Sequence, residues 1–169
     1  SRRFVGLQNY KTVFQNEYFR LALKNSLLLI AIAVPVLVVA AFLLSLLLLK
    51  MKGYWKLLRI AFIFPMLVPT ASVVVVWRTL FDGSESVWPV YMLFIYKNIG
   101  LLIILLSAAF STLEGEIYEA ARLDGAHGLV LHRKITLPLI SPTLLFTILI
   151  GVVYSFKVFR ESYLYFGTS

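Results

Sequence analysis

The sequence predicts an all-α integral membrane protein, a polytopic bundle of four transmembrane helices at about 25–49, 60–81, 87–113 and 135–156 with one short cytoplasmic helix near 113–124. Composition is the first reason: 60% of the 169 residues are hydrophobic, 14% are charged and the mean hydropathy is +0.89. A soluble domain is nearer half apolar and a quarter charged. Charge-free runs are the second, because the chain repeats stretches long enough to cross a bilayer, for which ~20 apolar residues suffice. The third is the placement of basic residues, which gather in alternate short loops. The formal charge of +8 invites a nucleic-acid reading, but Lys and Arg flank apolar runs instead of forming a stripe. They read as juxtamembrane anchors facing membrane lipid, and no nucleic-acid partner is expected. Cysteine is absent, which excludes disulfides, thiolate catalysis and Cys-based zinc sites.

Residues 1–24 are mixed, and Phe14, Phe19 and Leu23 can share one stripe of an interfacial helix with Tyr10 and Tyr18 at headgroup level. The stretch serves equally as an ordered connector into the first span. Residues 25–49 then carry no charge, with Pro35 inside the run, a residue that membrane helices tolerate when neighbours satisfy the freed carbonyl. Lys50, Lys52, Lys56 and Arg59 crowd the next loop beside Gly53. The second span, charge-free over 60–77 and reaching 81, contains Pro65 and Pro69 and is expected to kink there. The turn at 82–86 (DGSES) is acidic. The third span, 87–113, holds Lys97 well inside it. A cation near a helix centre costs ~2.5–3.5 kcal/mol, so Lys97 must snorkel, pair or face a wet interior. The fourth span, 135–156, is entered through Pro138 and Pro142, and Lys157, Arg160 and Glu161 behind it read as headgroup-level or loop charges. No internal repeat appears, so residues 1–169 form a single domain.

Orientation follows from the loops. The loop at 50–59 has four basic residues, 82–86 has none and 114–134 has three, namely Arg122, Arg133 and Lys134. The first and third loops are therefore cytoplasmic. The N-terminal segment carries five basic residues yet falls outside, and the alternation of the three short loops outweighs it.

The polar island between the last two spans holds both histidines. Residues 113–124 predict a short helix, capped by Ser111 or Thr112, with Glu114 and Glu116 near its N-terminus and Gly125 ending it in the left-handed conformation. Leu113, Ile117, Ala120, Ala121 and Asp124 fall near one face. The alanines allow close approach, and Glu119 and Arg122 offer charged contacts at the rim. On these residues alone the helix either enters a socket on a partner or covers the cytoplasmic end of the bundle.

The wider pattern is Glu119-Ala120-Ala121, then Gly125, Ile135 and Leu137-Pro138. Seven identities at fixed offsets arise by chance on the order of once in 100 million start positions at average residue usage. The pattern resembles the EAA loop of inner-membrane permeases of bacterial ABC importers, with the DGA of Asp124 to Ala126 and the ITLPLISP of 135–142 in keeping. FVGLQNY (4–10) and IFPMLVP (63–69) are similar to segments of the carbohydrate, maltose-type branch. The chain departs from that pattern in having Leu113-Glu114-Gly115 where a proline often stands, an apolar GLVL at 128–131 and a short 82–86 loop.

The resemblance implies a multi-pass subunit of the bacterial cytoplasmic membrane that moves a solute, a sugar or oligosaccharide, inward by alternating access. It implies a coupling helix and EAA loop at about 113–138, with Glu119, Ala120, Ala121, Arg122, Asp124 and Gly125 docking on an ATPase. The implied partners are a dimer of cytoplasmic ATP-binding subunits, a second permease subunit and an extracytoplasmic solute-binding protein. It also makes the chain a piece of a six-span permease, with one span before Ser1 and one after Ser169.

Rival classes find less support. No P-loop, GxSxG or HExxH is present. ATP and Mg are thus expected in the partner, with no catalytic residue, cofactor or metal in this chain. His127 and His132 are five apart, a spacing that does not bring two ligands to one metal from a regular helix. An oligomeric channel or a structural membrane protein without an ATPase is the alternative, although no filter-like sequence or acidic ring is evident. Solute contact is expected from Asn98 in the third span and from Tyr154, Ser155 and Phe159 at the end of the fourth.

Overall fold

A computed structural model describes residues 5–51, 55–81, 84–113 and 115–167. Arg2 and Arg3 of the N-terminal segment, Lys52 and Gly53 of the first basic loop, Asp82 and Gly83 of the acidic turn and Glu114 lie outside them, as do the side chains of Lys50, Lys56, Arg59 and Glu116. Among the described residues the chain is helical, with no strand.

The N-terminal segment forms a short helix, α1 (Gln8–Gln15), and breaks at Asn16. The Asn16 side chain accepts the Phe19 amide at 3.1 Å and so caps α2 (Glu17–Lys50), a cap worth ~1 kcal/mol. Phe14 and Phe19 pack edge-to-face across the break. The first span is thus longer than its charge-free run, because polar residues continue the helix beyond the apolar stretch.

α2 is apolar all round, yet its buried positions form one stripe: Ala33, Leu37, Ala41, Ser45 and Leu48. Small residues set this face, since they let backbones approach where apolarity drives nothing. Ser45 donates to Ala41 O at 2.7 Å and lies 3.3 Å from Ile103 O on the neighbouring span. That neighbour is α5 (Trp88–Ser111), the hub of the bundle, which packs on α2, on α3 (Trp55–Leu67) and on α8 (Leu137–Ser155). At Gly100 the backbones of α5 and α3 all but touch, because a Cβ there would lie 2.0 Å from Phe62 O.

The expected second span at 60–81 is not one kinked helix. Ile60–Leu67 and α4 (Thr70–Leu80) meet at 101°. Pro69, with ψ 130, supplies no amide and turns the chain before α4 begins, a sharper break than Pro65 alone gives. Among the described residues three helices are therefore long and apolar enough to cross a membrane, with the bent pair as a fourth span if it is counted as one. Trp77 fastens α4 to α5, donating to Pro89 O at 2.7 Å and stacking on Tyr96.

The remaining elements are α6 (Gly115–Leu123), α7 (Gly128–Leu131), a π-helical turn (His132–Thr136) leading into α8, and α9 (Phe159–Phe166). Pro138 explains the π turn, since it removes a donor from the first turn of α8, and Leu137 N reaches back to His132 O. Large apolar side chains remain exposed along every span, among them Val39, Leu47, Phe146 and Leu149.

Candidate functional site

Two polar regions stand out, one between the end of α5 and the start of α8, the other between the middle of α5 and the end of α8. The first is the helix–turn unit built from α6, α7 and the π turn. Its helix ends as the glycine predicts. Gly125 N donates to Arg122 O at 3.0 Å, Ala126 N donates to Ala121 O at 2.9 Å, and Gly125 sits at φ +83. This pair of bonds is a Schellman motif, which needs a left-handed residue where Gly125 stands. The N-terminal expectation differs from what is found. Ser111 and Thr112 turn their hydroxyls back onto α5, to Ser107 O and Ala109 O, so neither caps α6.

Glu119, Ala120, Arg122, Asp124 and Gly125 are exposed, whereas Ala121 is buried. The six residues expected to dock therefore divide, five outward and Ala121 inward. Along the face read from helical spacing Ala121 is buried, Leu113 is half-buried, and Ile117, Ala120 and Asp124 are exposed. Among the described residues, two polar contacts within the unit converge on Thr136 and tie α6 to the π turn. Tyr118 Oη on α6 lies 3.1 Å from Thr136 Oγ1, and His132 Nδ1 lies 3.2 Å from the same oxygen. Thr136 is fully buried in the π turn. Helical spacing puts Tyr118 with Arg122 on the face beside the apolar one, whereas Thr136 has only a faint signal in the sequence, a hydroxyl in the otherwise apolar entry to α8.

The second region is a cavity of about 250 Å³ where α3, α5, α8 and α9 converge, with Lys97, Asn98, Tyr154, Lys157 and Glu161 on its wall. Lys97 pairs. Its ammonium lies 3.2 Å from Glu161 Oε1 and also donates to Thr70 Oγ1 at the start of α4. Two partners and a polar cavity offset the cost of a cation inside a span. Glu161 is therefore not a headgroup or loop charge, and the single ion pair among the described residues joins it to Lys97. A clue was available, since Glu161 is the only acidic residue after Asp124. Lys157 stands 5.1 Å from the Tyr154 ring centroid, and Asn98 Nδ2 donates to Phe94 O at 2.7 Å.

The four residues expected on a solute path are split by this geometry. Asn98 and Tyr154 line the Lys97 cavity. Ser155 and Phe159 line another, of about 290 Å³, with Asn25, Ser26 and Tyr91. Ser155 donates to Val152 O at 2.6 Å, which turns its hydroxyl into its own helix. Buried Val158 borders both cavities and separates the pairs.

Comparison with known proteins places these features in context. Residues 18–167 match the family model described as the binding-protein-dependent transport system inner membrane component. The chain is 27% identical to the sn-glycerol-3-phosphate transport system permease protein UgpA of Yersinia pestis, over 92% of this chain and 60% of that protein. It is 28% identical to the arabinooligosaccharides transport system permease protein AraP of Bacillus subtilis, over 95% of this chain and 59% of that one. The chain thus spans less than two thirds of the length of these curated relatives. Its fold is similar to that of a bacterial ABC transporter involved in the import of the acidic polysaccharide alginate. The TM-score there is 0.74 at 24% identity, covering 96% of this chain and 65% of that one.

Proposed function

From the premise that the chain belongs to the family of binding-protein-dependent transport system inner membrane components, a family of transporter subunits and not of enzymes, we propose that it is the membrane-spanning permease subunit of an ABC importer. It moves a solute, a sugar or oligosaccharide, inward by alternating access. Energy comes from a separate pair of ATP-binding subunits that carry the ATP and Mg. A second permease subunit completes the path, and an extracytoplasmic binding protein delivers the solute. The permease relatives named for glycerol phosphate and arabinooligosaccharides support the solute class.

The observation that carries the reading is the exposed helix α6 with its glycine stop. Glu119, Ala120, Arg122, Asp124 and Gly125 present a compact polar knob at the end of two spans. Ala121, buried beneath that knob, keeps the helix close to the bundle. Basic residues in the same loop put it in the cytoplasm, where an ATPase is found. By the same orientation the Lys97 cavity lies toward the outer half of the membrane, with Asn98 and Tyr154 on the solute path. The exposed apolar faces of α2 and α8 suit lipid and a second permease half.

Affinity purification of the full-length protein from its native membrane, with and without Glu119→Lys, tests this reading. The parent is expected to bring down an ATPase and the variant to lose it. An exposed charge reversal changes stability by only ~0.5 kcal/mol, so the loss would report contact. An intact protein recovered without any ATPase would favour the channel or scaffold alternative.

A further inference from the structure

The charges of the Lys97 cavity do not balance. Two ammonium groups, Lys97 and Lys157, face one carboxylate, Glu161. An ammonium has three donors, and Lys97 directs one to Thr70 and one to Glu161, so one remains for the cavity. Helix α4 begins at Thr70, and its positive N-terminal end adds to the excess. The two partners of Lys97 also differ in kind. Thr70 is buried at the bend between α3 and α4, whereas Glu161 is half-buried on α9. Thr70 can hold Lys97 in place while Glu161 is exchanged.

We infer that the Lys97–Glu161 pair is an exchangeable contact within a subsite for an anionic group, a carboxylate or a phosphate, carried by a hydroxylated solute. The anion replaces Glu161 on Lys97, and Lys157 is the second cation. The amide of Asn98 and the hydroxyl of Tyr154 face the neighbouring hydroxyls of the solute. Charge-assisted bonds of this kind are roughly twice as strong as neutral ones, which makes the contact selective against neutral sugars. The volume of about 250 Å³ lies below the ~300–1,000 Å³ of whole small-molecule sites, so the subsite takes one ring and not a chain. The inference rests on the permease reading, since it assigns this cavity to the solute path.

The test uses the full-length protein purified with whatever subunits accompany it, and three probes sharing one ring: glucose, glucuronate and glucose 6-phosphate. Their dissociation constants are measured by calorimetry. One of the anions is expected to bind ~10-fold or more tightly than glucose, a difference of ~1.4 kcal/mol, and the stronger arm tells carboxylate from phosphate. Glu161→Gln removes the internal competitor and should raise the anion-to-glucose binding ratio several-fold. Lys157→Gln, at an exposed position, should weaken the anion alone. Lys97→Met leaves Glu161 without its partner and can fail to fold. The double variant Lys97→Met with Glu161→Gln removes both charges together and should fold but lose the preference. Equal binding of glucose and both anions, no binding of any probe, or an unchanged anion-to-glucose ratio in Glu161→Gln would overturn the inference. Co-purified ATPase is assayed in the same sample. ATPase present without anion preference removes the subsite and leaves the importer, whereas ATPase absent removes the importer reading while the binding ratio still judges the subsite.

Discussion

Where α5 gives way to α8, Glu119 and Arg122 stand exposed on a nine-residue helix, with Asp124 exposed just beyond it. Near the middle of α5, Lys97 is drawn inside and held by Thr70 and Glu161, residues distant in sequence. In the first region water carries the cost of charge, so the side chains are available to a partner. In the second, Lys97 and Glu161 are largely withdrawn from water and pair with each other within the chain. A polar patch that serves an external subunit can thus be written in one short stretch, whereas a polar cavity inside a bundle must be assembled from several helices.

The two regions should respond in opposite ways to the same glycine replacement. A Cβ at Gly100, one turn from Lys97, would stand 2.0 Å from the Phe62 carbonyl oxygen, and main chain cannot rotate away. Gly100→Ala is expected to push α3 off α5 and cost ~3 kcal/mol or more, at the upper end of overpacking penalties. At Gly115, on the first turn of α6, an added Cβ meets nothing within 4 Å. Gly115→Ala should be neutral or stabilise by up to ~0.5–1 kcal/mol, because alanine loses less backbone freedom. Thermal midpoints of the purified protein decide the matter, and equal shifts would show that the bundle is looser around Lys97 than its geometry indicates.

The contrast explains what was legible in the sequence. The spans were readable because apolar runs signal length, and the short helix because capping and glycine signals are local. The Schellman stop at Gly125 was foreseen for this reason. The faces were not readable, since α2 is apolar all round and only its small residues, Ala33, Ala41 and Ser45, mark the buried stripe. The bend at 101° exceeded a proline kink, because Pro69 both lacks a donor and restrains Val68 before it. The pairing of Lys97 with Glu161 joins residues 64 apart, a distance that periodicity does not span. What could be inferred was only that Lys97 needed a partner.

A second pair of variants probes the α6 region. Gly125 has φ +83 with no neighbour within 4 Å of an added Cβ, so its constraint is conformational and not steric. Gly125→Val should lose ~1–3 kcal/mol of local stability, the usual cost of holding an ordinary residue in the left-handed region. Gly125→Asn should lose less, because asparagine visits that region readily. In vesicles reconstituted with the proposed ATP-binding subunits, the valine variant is expected to let ATP be hydrolysed without proportionate uptake, and the asparagine variant to stay coupled. If both behave alike, the turn geometry is not what transmits motion from α6.

The smallest expected effect concerns the join between the regions. Thr136 is fully buried, and its hydroxyl is the shared neighbour of Tyr118 and His132. It sits in the π turn, where the i→i+5 bond departs from α geometry at the entry to α8. Thr136→Val preserves shape but removes the oxygen, which costs ~1–2 kcal/mol if Tyr118 and His132 find no other partner. Thr136→Ser keeps the oxygen and should behave like the parent. For valine, the ATPase should still be recovered, since Glu119 and its exposed neighbours are untouched, but uptake per ATP hydrolysed should fall several-fold. Full coupling in the valine variant would mean that apolar packing of α7 on the π turn carries the motion and that the hydroxyl is only a local fastening.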